Sequence, residues 1–410
     1  MSDHDVTLAH IEAAAAALAG VAQHTPIDHA SYLSDLTGVP TYMKLENLQR
    51  TGSFKLRGAT YRLSRLSAEE RSRGVVAASA GNHAQGVAFA AKQLGIEATI
   101  YMPLGAPVPK LLATKGYGAT VITDGATVDD CLELALAHAE RTGAVMIHPF
   151  DHADVIAGQG TIGLEIVADV PDVQTVIVPI GGGGLIAGIA VAVKSWAKAQ
   201  GREIRVVGVQ AAQSASYPPS LVAGHPVAIE RRATIADGIA VARPGVHTFP
   251  LIRDLVDEIV TVDEDDIARA VLTILERTKL VVEPAGAVAV AAILAGLVTP
   301  TGPTVALLSG GNIDPLLLQR IVGQGLVASG RYMTLRIPLP DRPGQLAQVS
   351  DLLARVGANV IEVLHTRHDL GLTVTDVVLQ ISVETRGPNH QGDVLQALRE
   401  AGFAPEVVSS

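Results

Sequence analysis

The chain has 410 residues, 48% hydrophobic and 3% aromatic, with a formal net charge of -10, which argues against nucleic acid or an anionic membrane as partner. One cysteine, Cys131, excludes a disulfide framework and a thiolate metal cluster. The length allows two or three domains, and a core of Ala, Val, Ile and Leu suits parallel sheets covered by Ala-rich helices.

Residues 1 to 40 read as a leader: a helix to Gly20, then His24-Thr25-Pro26, then a second helix ending at Gly38. No basic segment followed by an apolar run opens the chain. The longest charge-free apolar run, Ala285 to Val298, is too short to span a bilayer, so a soluble cytoplasmic protein is expected. Thr41 to Leu45 reads as a strand leading to a helix from Lys55 to Leu66, with Ser53 as its cap. An alternation follows. Strand-like runs at Val75 to Ala78, Ala98 to Met102, Thr120 to Thr123 and Val145 to Ile147 are separated by helical patterns at Asn82 to Leu94, Lys110 to Lys115 and Val128 to Arg141. A second alternation has strands at Thr175 to Pro179, Ile204 to Val209 and Thr304 to Leu308. Its helices are Leu185 to Ala199, Glu264 to Glu276 and Pro315 to Val327. Repeated βα crossovers predict two α/β lobes with parallel sheets and a cleft between them. After Gly330 the order is Tyr332 to Pro338, Gln345 to Val356, Asn359 to His368, Leu372 to Val383, Gln391 to Ala401 and Pro405 to Val408. That is βαββαβ, a ferredoxin-like module. The boundary is placed near Ser329, giving domains 1–329 and 330–410.

Four segments carry chemistry. Lys55 lies in Gly52-Ser53-Phe54-Lys55-Leu56-Arg57-Gly58, between apolar neighbours. A lysine amine in an apolar site has a lowered pKa and can form a Schiff base with an aldehyde cofactor, here pyridoxal phosphate. Ser79-Ala80-Gly81-Asn82-His83 follows a strand and opens a helix. Its free amides suit an anion such as a carboxylate, and a structural turn capped by Asn82 is the plain alternative. Gly181-Gly182-Gly183-Gly184 lets backbone N–H groups approach a phosphate without Cβ atoms in the way. The rival is a dinucleotide site, because Gly182, Gly184 and Ala187 fit that fingerprint; however, the far end of the next strand carries Gln210 rather than an acid. Ser309-Gly310-Gly311-Asn312 ends a strand and opens a helix, where Ser309 can hydrogen-bond a pyridine nitrogen or cap the helix. Glu283 can face a cofactor or serve as a helix-start acid.

These segments, with Glu283-Pro284-Ala285-Gly286, occur in the same order in fold-type II pyridoxal-phosphate enzymes, and the chain resembles threonine dehydratases (threonine ammonia-lyases) above all. The resemblance covers roughly residues 10 to 325 and implies that the smaller lobe, over about 50–150, is inserted in the larger. The last part resembles an ACT domain, with Asp341-Arg342-Pro343-Gly344 in its first loop. The resemblance implies that Lys55 holds the cofactor and removes the Cα proton, with Phe54 near the ring. It puts Asn82 at the ring's 3-hydroxyl oxygen, Glu283 beside the cofactor, Gly181 to Gly184 with Leu185 at the phosphate, and Ser309 at the pyridine nitrogen. Ser79, Ala80, Gly81, Asn82 and His83 take the substrate carboxylate. The implied reaction is β-elimination of L-threonine and L-serine to a 2-oxo acid and ammonia, as in isoleucine biosynthesis, with the cofactor phosphate as acid for the leaving hydroxyl. Related serine racemases carry a second serine where this chain has Ala80, so elimination without racemisation is expected. Another hydroxy amino acid as substrate, racemisation, or a non-catalytic amino-acid sensor are the rival readings. Some relatives bind a divalent cation through acids after the strand matching Val206 to Val209. This chain has Gln210 to Ser214 without a carboxylate, so no divalent metal is expected, and a monovalent ion held by carbonyls is the alternative. ACT domains pair side by side and bind small ligands near the first loop. A homodimer or homotetramer and an amino-acid effector near Gly344 and Asn359 are therefore expected.

Overall fold

The computed structural model describes residues 6–230, 232–367 and 375–408. It divides into two compact units, Met1–Leu317 and Leu318–Ser410. The first unit opens with α1 (Leu8–Leu18), β1 (Ile27–His29), α2 (Ser31–Thr37) and β2 (Thr41–Leu45). Then come α3 (Lys55–Ser64), α4 (Ala68–Ser72), β3 (Val75–Ala78), α5 (Asn82–Leu94), β4 (Ala98–Met102), α6 (Val108–Gly116), β5 (Thr120–Thr123), α7 (Val128–Thr142) and β6 (Val145–Met146). It continues with α8 (Ala153–Asp169), β7 (Thr175–Pro179), α9 (Gly184–Ala199), β8 (Arg205–Ala211), α10 (Tyr217–Ala223), α11 (Thr248–Leu255), β9 (Glu258–Val262), α12 (Glu264–Thr278), α13 (Pro284–Leu294) and β10 (Thr304–Leu308). Among the described residues no helix is long and apolar enough to cross a membrane.

Two sheets organise this unit. The small lobe has the order β5-β4-β3-β6, all parallel. Apolar clusters cover both its faces, one built around Leu63, Val87 and Ile100, the other around Val76, Tyr101 and Cys131. The large lobe has the order β1-β2-β10-β7-β8-β9, parallel except for β1 against β2. β7 and β10 are buried along their whole length, which is why they read as unbroken apolar runs without alternation. In each sheet the chain reverses its direction of advance once. In the small lobe β3 leads to β4 and β5 on one side while β6 returns to the other. In the large lobe β7 leads to β8 and β9 while β10 returns. Loops leaving the carboxyl ends of strands at such reversals diverge and leave a crevice.

Helix ends follow local chemistry. The Thr127 side chain accepts from Asp130 N to start α7, and left-handed Gly143 stops it. Two expectations need correction. Ser53 does not cap α3: Phe54 holds the cap position, and the buried Ser53 hydroxyl has no protein partner. Ser309 does not cap a helix either, because the next one begins only at Pro315, where Asp314 accepts from Leu316 N. The strands β1 and β9 and the helices α4, α8, α10, α11 and α13 were not expected as elements. Ala-rich α13 is almost wholly buried and so lacks a polar face, and the middle of Gly-interrupted α8 is buried throughout.

Helix α14 (Pro315–Ala328) precedes β11 (Tyr332–Pro340), α15 (Gln345–Arg355), β12 (Asn359–Thr366), β13 (Asp376–Glu384), α16 (Pro388–Glu400) and β14 (Glu406–Val407). The four strands form an antiparallel sheet in the order β12-β13-β11-β14. Met333, Leu335, Ile337 and Leu339 alternate inward from β11 onto Val349 and Leu353 of α15 and Val394 and Leu398 of α16. This is the expected βαββαβ fold. The strand ends expected at His368 and Leu372 lie outside the described residues.

Candidate active site

Both sheet reversals open onto one cavity of about 390 Å³. The small lobe contributes the loop after β3, Ser79 to His83, and the segment after β6, Pro149 and Phe150. The large lobe contributes Gly181 to Gly184 after β7 and Ser309 after β10. Phe54, Lys55, Leu185 and Glu283 complete the set. Every site residue expected in the catalytic part therefore lines the same space. Gly344 and Asn359 lie in the second unit.

Lys55 is the first residue of α3 and its side chain enters the cavity. Its Nζ donates to the Pro149 carbonyl at 2.9 Å and stands 5.2 Å from the centre of the Phe54 ring. Burial lowers its pKa from 10.5 to about 8, and the Glu283 carboxyl opposes the shift. The helix beneath it is fixed by a buried charge cluster. Arg57 donates to Glu46 at 2.9 and 2.8 Å and to Glu165 at 2.6 and 3.0 Å. Both Arg57 and Glu46 are buried, so each satisfies the other in a medium where a lone charge would be costly.

Gly81 is the residue before α5, and the amides of that first turn face the cavity end of the helix. The Ser79 hydroxyl accepts from Gly81 N at 3.1 Å and shapes the loop. His83 is buried with Nε2 donating to the Ile147 carbonyl at 2.9 Å; burial and the nearby Lys55 push its pKa down to about 3. It is a neutral structural ring that ties α5 to the end of β6. Asn82 Nδ2 donates to Glu283 Oε1 at 2.6 Å, and Asn82 Oδ1 accepts from Asn312 Nδ2 at 2.9 Å. Asn312 Nδ2 also reaches the Thr51 carbonyl at 2.7 Å. One network thus joins the lysine segment, the β3 loop, the Glu283 segment and the β10 loop. Glu283 precedes α13 but caps nothing with its side chain, which turns into the cavity. Burial raises its pKa to about 7, against the pull of Lys110 and the Asn82 hydrogen bond and with the push of Asp237. The Ser309 side chain lines the cavity, and its carbonyl accepts from Phe54 N at 3.2 Å.

The four glycines form a wall: Gly182, Gly183 and Gly184 leave no room for a side chain, and Gly181 leaves little. A Cβ on Gly182 would stand 2.3 Å from the Phe150 ring. Gly183 has φ +100°, and its Cβ would lie 2.0 Å from the Tyr217 hydroxyl. The Gly182 carbonyl is turned away from the cavity by Tyr217 Oη at 3.1 Å and Thr248 Oγ1 at 2.8 Å. This leaves the amides at the start of α9 free to face an anion.

Sequence reading missed Pro149, Phe150, Gln159, Lys110, Tyr217, Thr248 and the turn Asp237–Ile239. No local pattern marks them; the sheet order brings Tyr217 and Thr248 behind the glycine loop and the others to the cavity. The dinucleotide reading fails at Gln210, which is buried and accepts from Tyr217 N at 3.0 Å, so it faces the protein.

Comparison with known proteins agrees with this geometry. Residues 18–310 match the pyridoxal-phosphate dependent enzyme family, and residues 333–403 match the ACT domain. The chain is 46% identical over 403 residues to an L-threonine ammonia-lyase of Thermotoga maritima, covering 98% of this chain and 100% of that protein. The processed form of threonine deaminase isoform 2 from Solanum lycopersicum superposes with a TM-score of 0.73 at 39% identity, covering 77% of this chain and 87% of that one. Maize serine racemase superposes with a TM-score of 0.73 at 35% identity, covering 78% and 98%.

Proposed function

The chain belongs to the family of pyridoxal-phosphate dependent enzymes and carries a C-terminal ACT domain, and from that premise we propose that it is an ammonia-lyase acting on L-threonine and L-serine. The products are 2-oxobutanoate or pyruvate, with ammonia. The observation that carries this reading is a half-buried amine of lowered pKa, Lys55, sharing one cavity with a helix-terminal anion site at Ser79 to His83.

Pyridoxal phosphate fits the residues present. The tetraglycine wall leaves little or no room for a Cβ where a phosphate would lie against the start of α9. Lys55 would hold the aldehyde carbon, Asn82 the ring oxygen and Ser309 the ring nitrogen, with Phe54, Leu185 and Glu283 around the ring. When bound, it supplies the electron sink that lets a Cα proton leave.

The chain's own groups do the rest. Lys55 accepts the Cα proton, and the Pro149 carbonyl keeps Nζ in place for it. The amides opening α5, with Ser79 and Asn82, hold the substrate carboxylate and so fix the direction of the Cα–H bond. Ser309 is a hydroxyl rather than a carboxylate, which does not hold a pyridine nitrogen protonated; that favours prompt loss of the β-hydroxyl over transamination. Ala80 lines the cavity beside these donors and has no proton to give, so Cα is not reprotonated from its other face. Elimination without racemisation follows.

The ACT unit is proposed as an amino-acid sensor within a homodimer or homotetramer. Gly344, at φ +95°, precedes α15 and leaves its first amides open, and exposed Asn359 begins β12.

The test is an absorption spectrum of the purified protein, borohydride reduction with mapping of the modified residue, and a panel of L-threonine, L-serine and hydroxyaspartate read as 2-oxo acid. Label at Lys55 with 2-oxobutanoate from threonine is the expected result. No 2-oxo acid from threonine or serine would end the reading. D-serine formed from L-serine would replace it with racemisation.

A further inference from the structure

Lys110 and Asp237 are charged groups of the cavity that the reaction above does not use. Lys110 belongs to α6 of the small lobe and Asp237 to the turn Asp237–Ile239 of the large lobe. Their ion pair, 3.2 Å long, joins the two walls of the cavity. The Lys110 side chain is mostly covered, and its Nζ lies 3.8 Å from where a Cβ on Gly81 would stand. It therefore adjoins the loop proposed to take the substrate carboxylate. Asp237 is more than half exposed.

A substrate with a second carboxylate can leave water only if the site offers that group a cation. Among the described residues lining the cavity, the lysines are Lys55 and Lys110 and the carboxylates are Asp237 and Glu283. Lys55 is committed to the cofactor and the Cα proton. Lys110 is the remaining cation, and Asp237 already neutralises it. We infer that the Lys110–Asp237 pair sets the substrate class: Asp237 withholds Lys110, so the cavity takes short uncharged β-hydroxy amino acids and refuses those with a second carboxylate. This deepens the proposed function and rests on it for the identity of the reacting amino acids. Discrimination here comes from an unavailable partner, not from a clash.

The experiment uses full-length, cofactor-loaded protein and the variant Asp237→Asn, which removes the charge and keeps the shape at an exposed position. Two quantities are measured: the ratio of kcat/KM for L-threo-3-hydroxyaspartate to that for L-threonine, and the half-saturating concentration of L-aspartate in a thermal-shift titration. L-Aspartate has no β-hydroxyl to lose, so it reports binding alone. Asp237→Asn is expected to raise the ratio and lower the aspartate concentration by about tenfold or more, because Lys110, then opposed only by Glu283 and without its ion-pair partner, faces the second carboxylate. The double variant Asp237→Asn with Lys110→Gln is expected to lose both gains. No change in Asp237→Asn, or gains that persist in the double variant, would overturn the inference. If the unmodified protein makes no 2-oxo acid from threonine or serine, the proposed function fails by itself, and the aspartate titration still reads the pair.

Discussion

At neutral pH an exposed lysine is almost wholly protonated and an exposed glutamate almost wholly ionised. Burial brings Lys55 and Glu283 toward neutrality, to about 8 and about 7, so that each titrates close to neutral pH. A base freed near pH 8 has the affinity for protons that abstraction from Cα needs, so kcat should climb as pH rises toward 8 and then level off. Lys55→Ala should lower kcat by about 10³-fold or more and abolish borohydride labelling, read by 2-oxo acid assay and peptide mapping. The same burial acts on stability. Glu283 has a folded value raised from 4.5, so its contribution is fully present below 4.5 and is lost as pH rises through about 7. Lys55 has a folded value depressed from 10.5, so its contribution is present above 10.5 and is lost as pH falls through about 8. Near pH 7.5 the cofactor-free protein lacks both. Glu283→Gln should accordingly stabilise it by about 2 kcal/mol at pH 8 and hardly at all at pH 4.5, measured by urea denaturation at both values. Equal effects at the two pH values would contradict the assignment.

Elements hold these groups in register. α3 presents Lys55 because Arg57, less than one turn later, is locked between Glu46 and Glu165. Arg57→Ala would leave the buried Glu46 carboxylate without its guanidinium, while Glu165 keeps Lys44, and should destabilise the first unit by about 3–5 kcal/mol in chemical denaturation. α9 presents its first amides because Gly183 adopts φ +100° and the Gly182 carbonyl is drawn off by Tyr217 and Thr248. Gly183→Ala should therefore weaken retention of the cofactor more than any other single methyl addition in the loop, with strain of about 1–3 kcal/mol from the backbone alone. Tyr217→Phe removes only the hydroxyl and should loosen cofactor binding by about tenfold, read by dialysis followed by absorbance.

For the whole molecule, the site exists because two parallel sheets, each with one reversal, bring those reversals to one cavity. Neither lobe alone encloses it. The second unit gives a prediction of its own kind. With Lys55→Ala preventing turnover, isoleucine, valine or threonine should raise the melting temperature if the ACT unit is a sensor. Absence of any response to these amino acids would leave it a role in assembly only.

The anion loop, the glycine wall and the serine after β10 were legible in the sequence because each stands where a strand ends and the backbone must expose its own amides, and the anchor lysine because it opens a helix between apolar neighbours after a Gly-Ser turn. Such turns have few residue choices, so composition betrays them. The βαββαβ order of the last unit was legible for a similar reason: its strands bury one face and alternate. The sequence did not reveal α13, which is apolar on every side, α8, whose glycines and buried polar residues break any helical stripe, or Pro149, Tyr217, Thr248, Lys110 and Asp237. These last five are ordinary residues whose roles depend on which strand lies beside which. Pairing β10 with β7 sets Ser309 next to Gly181, and pairing β6 with β3 sets Pro149 over Lys55. Long-range pairing leaves no periodic trace in one chain, so only the tertiary structure could decide it.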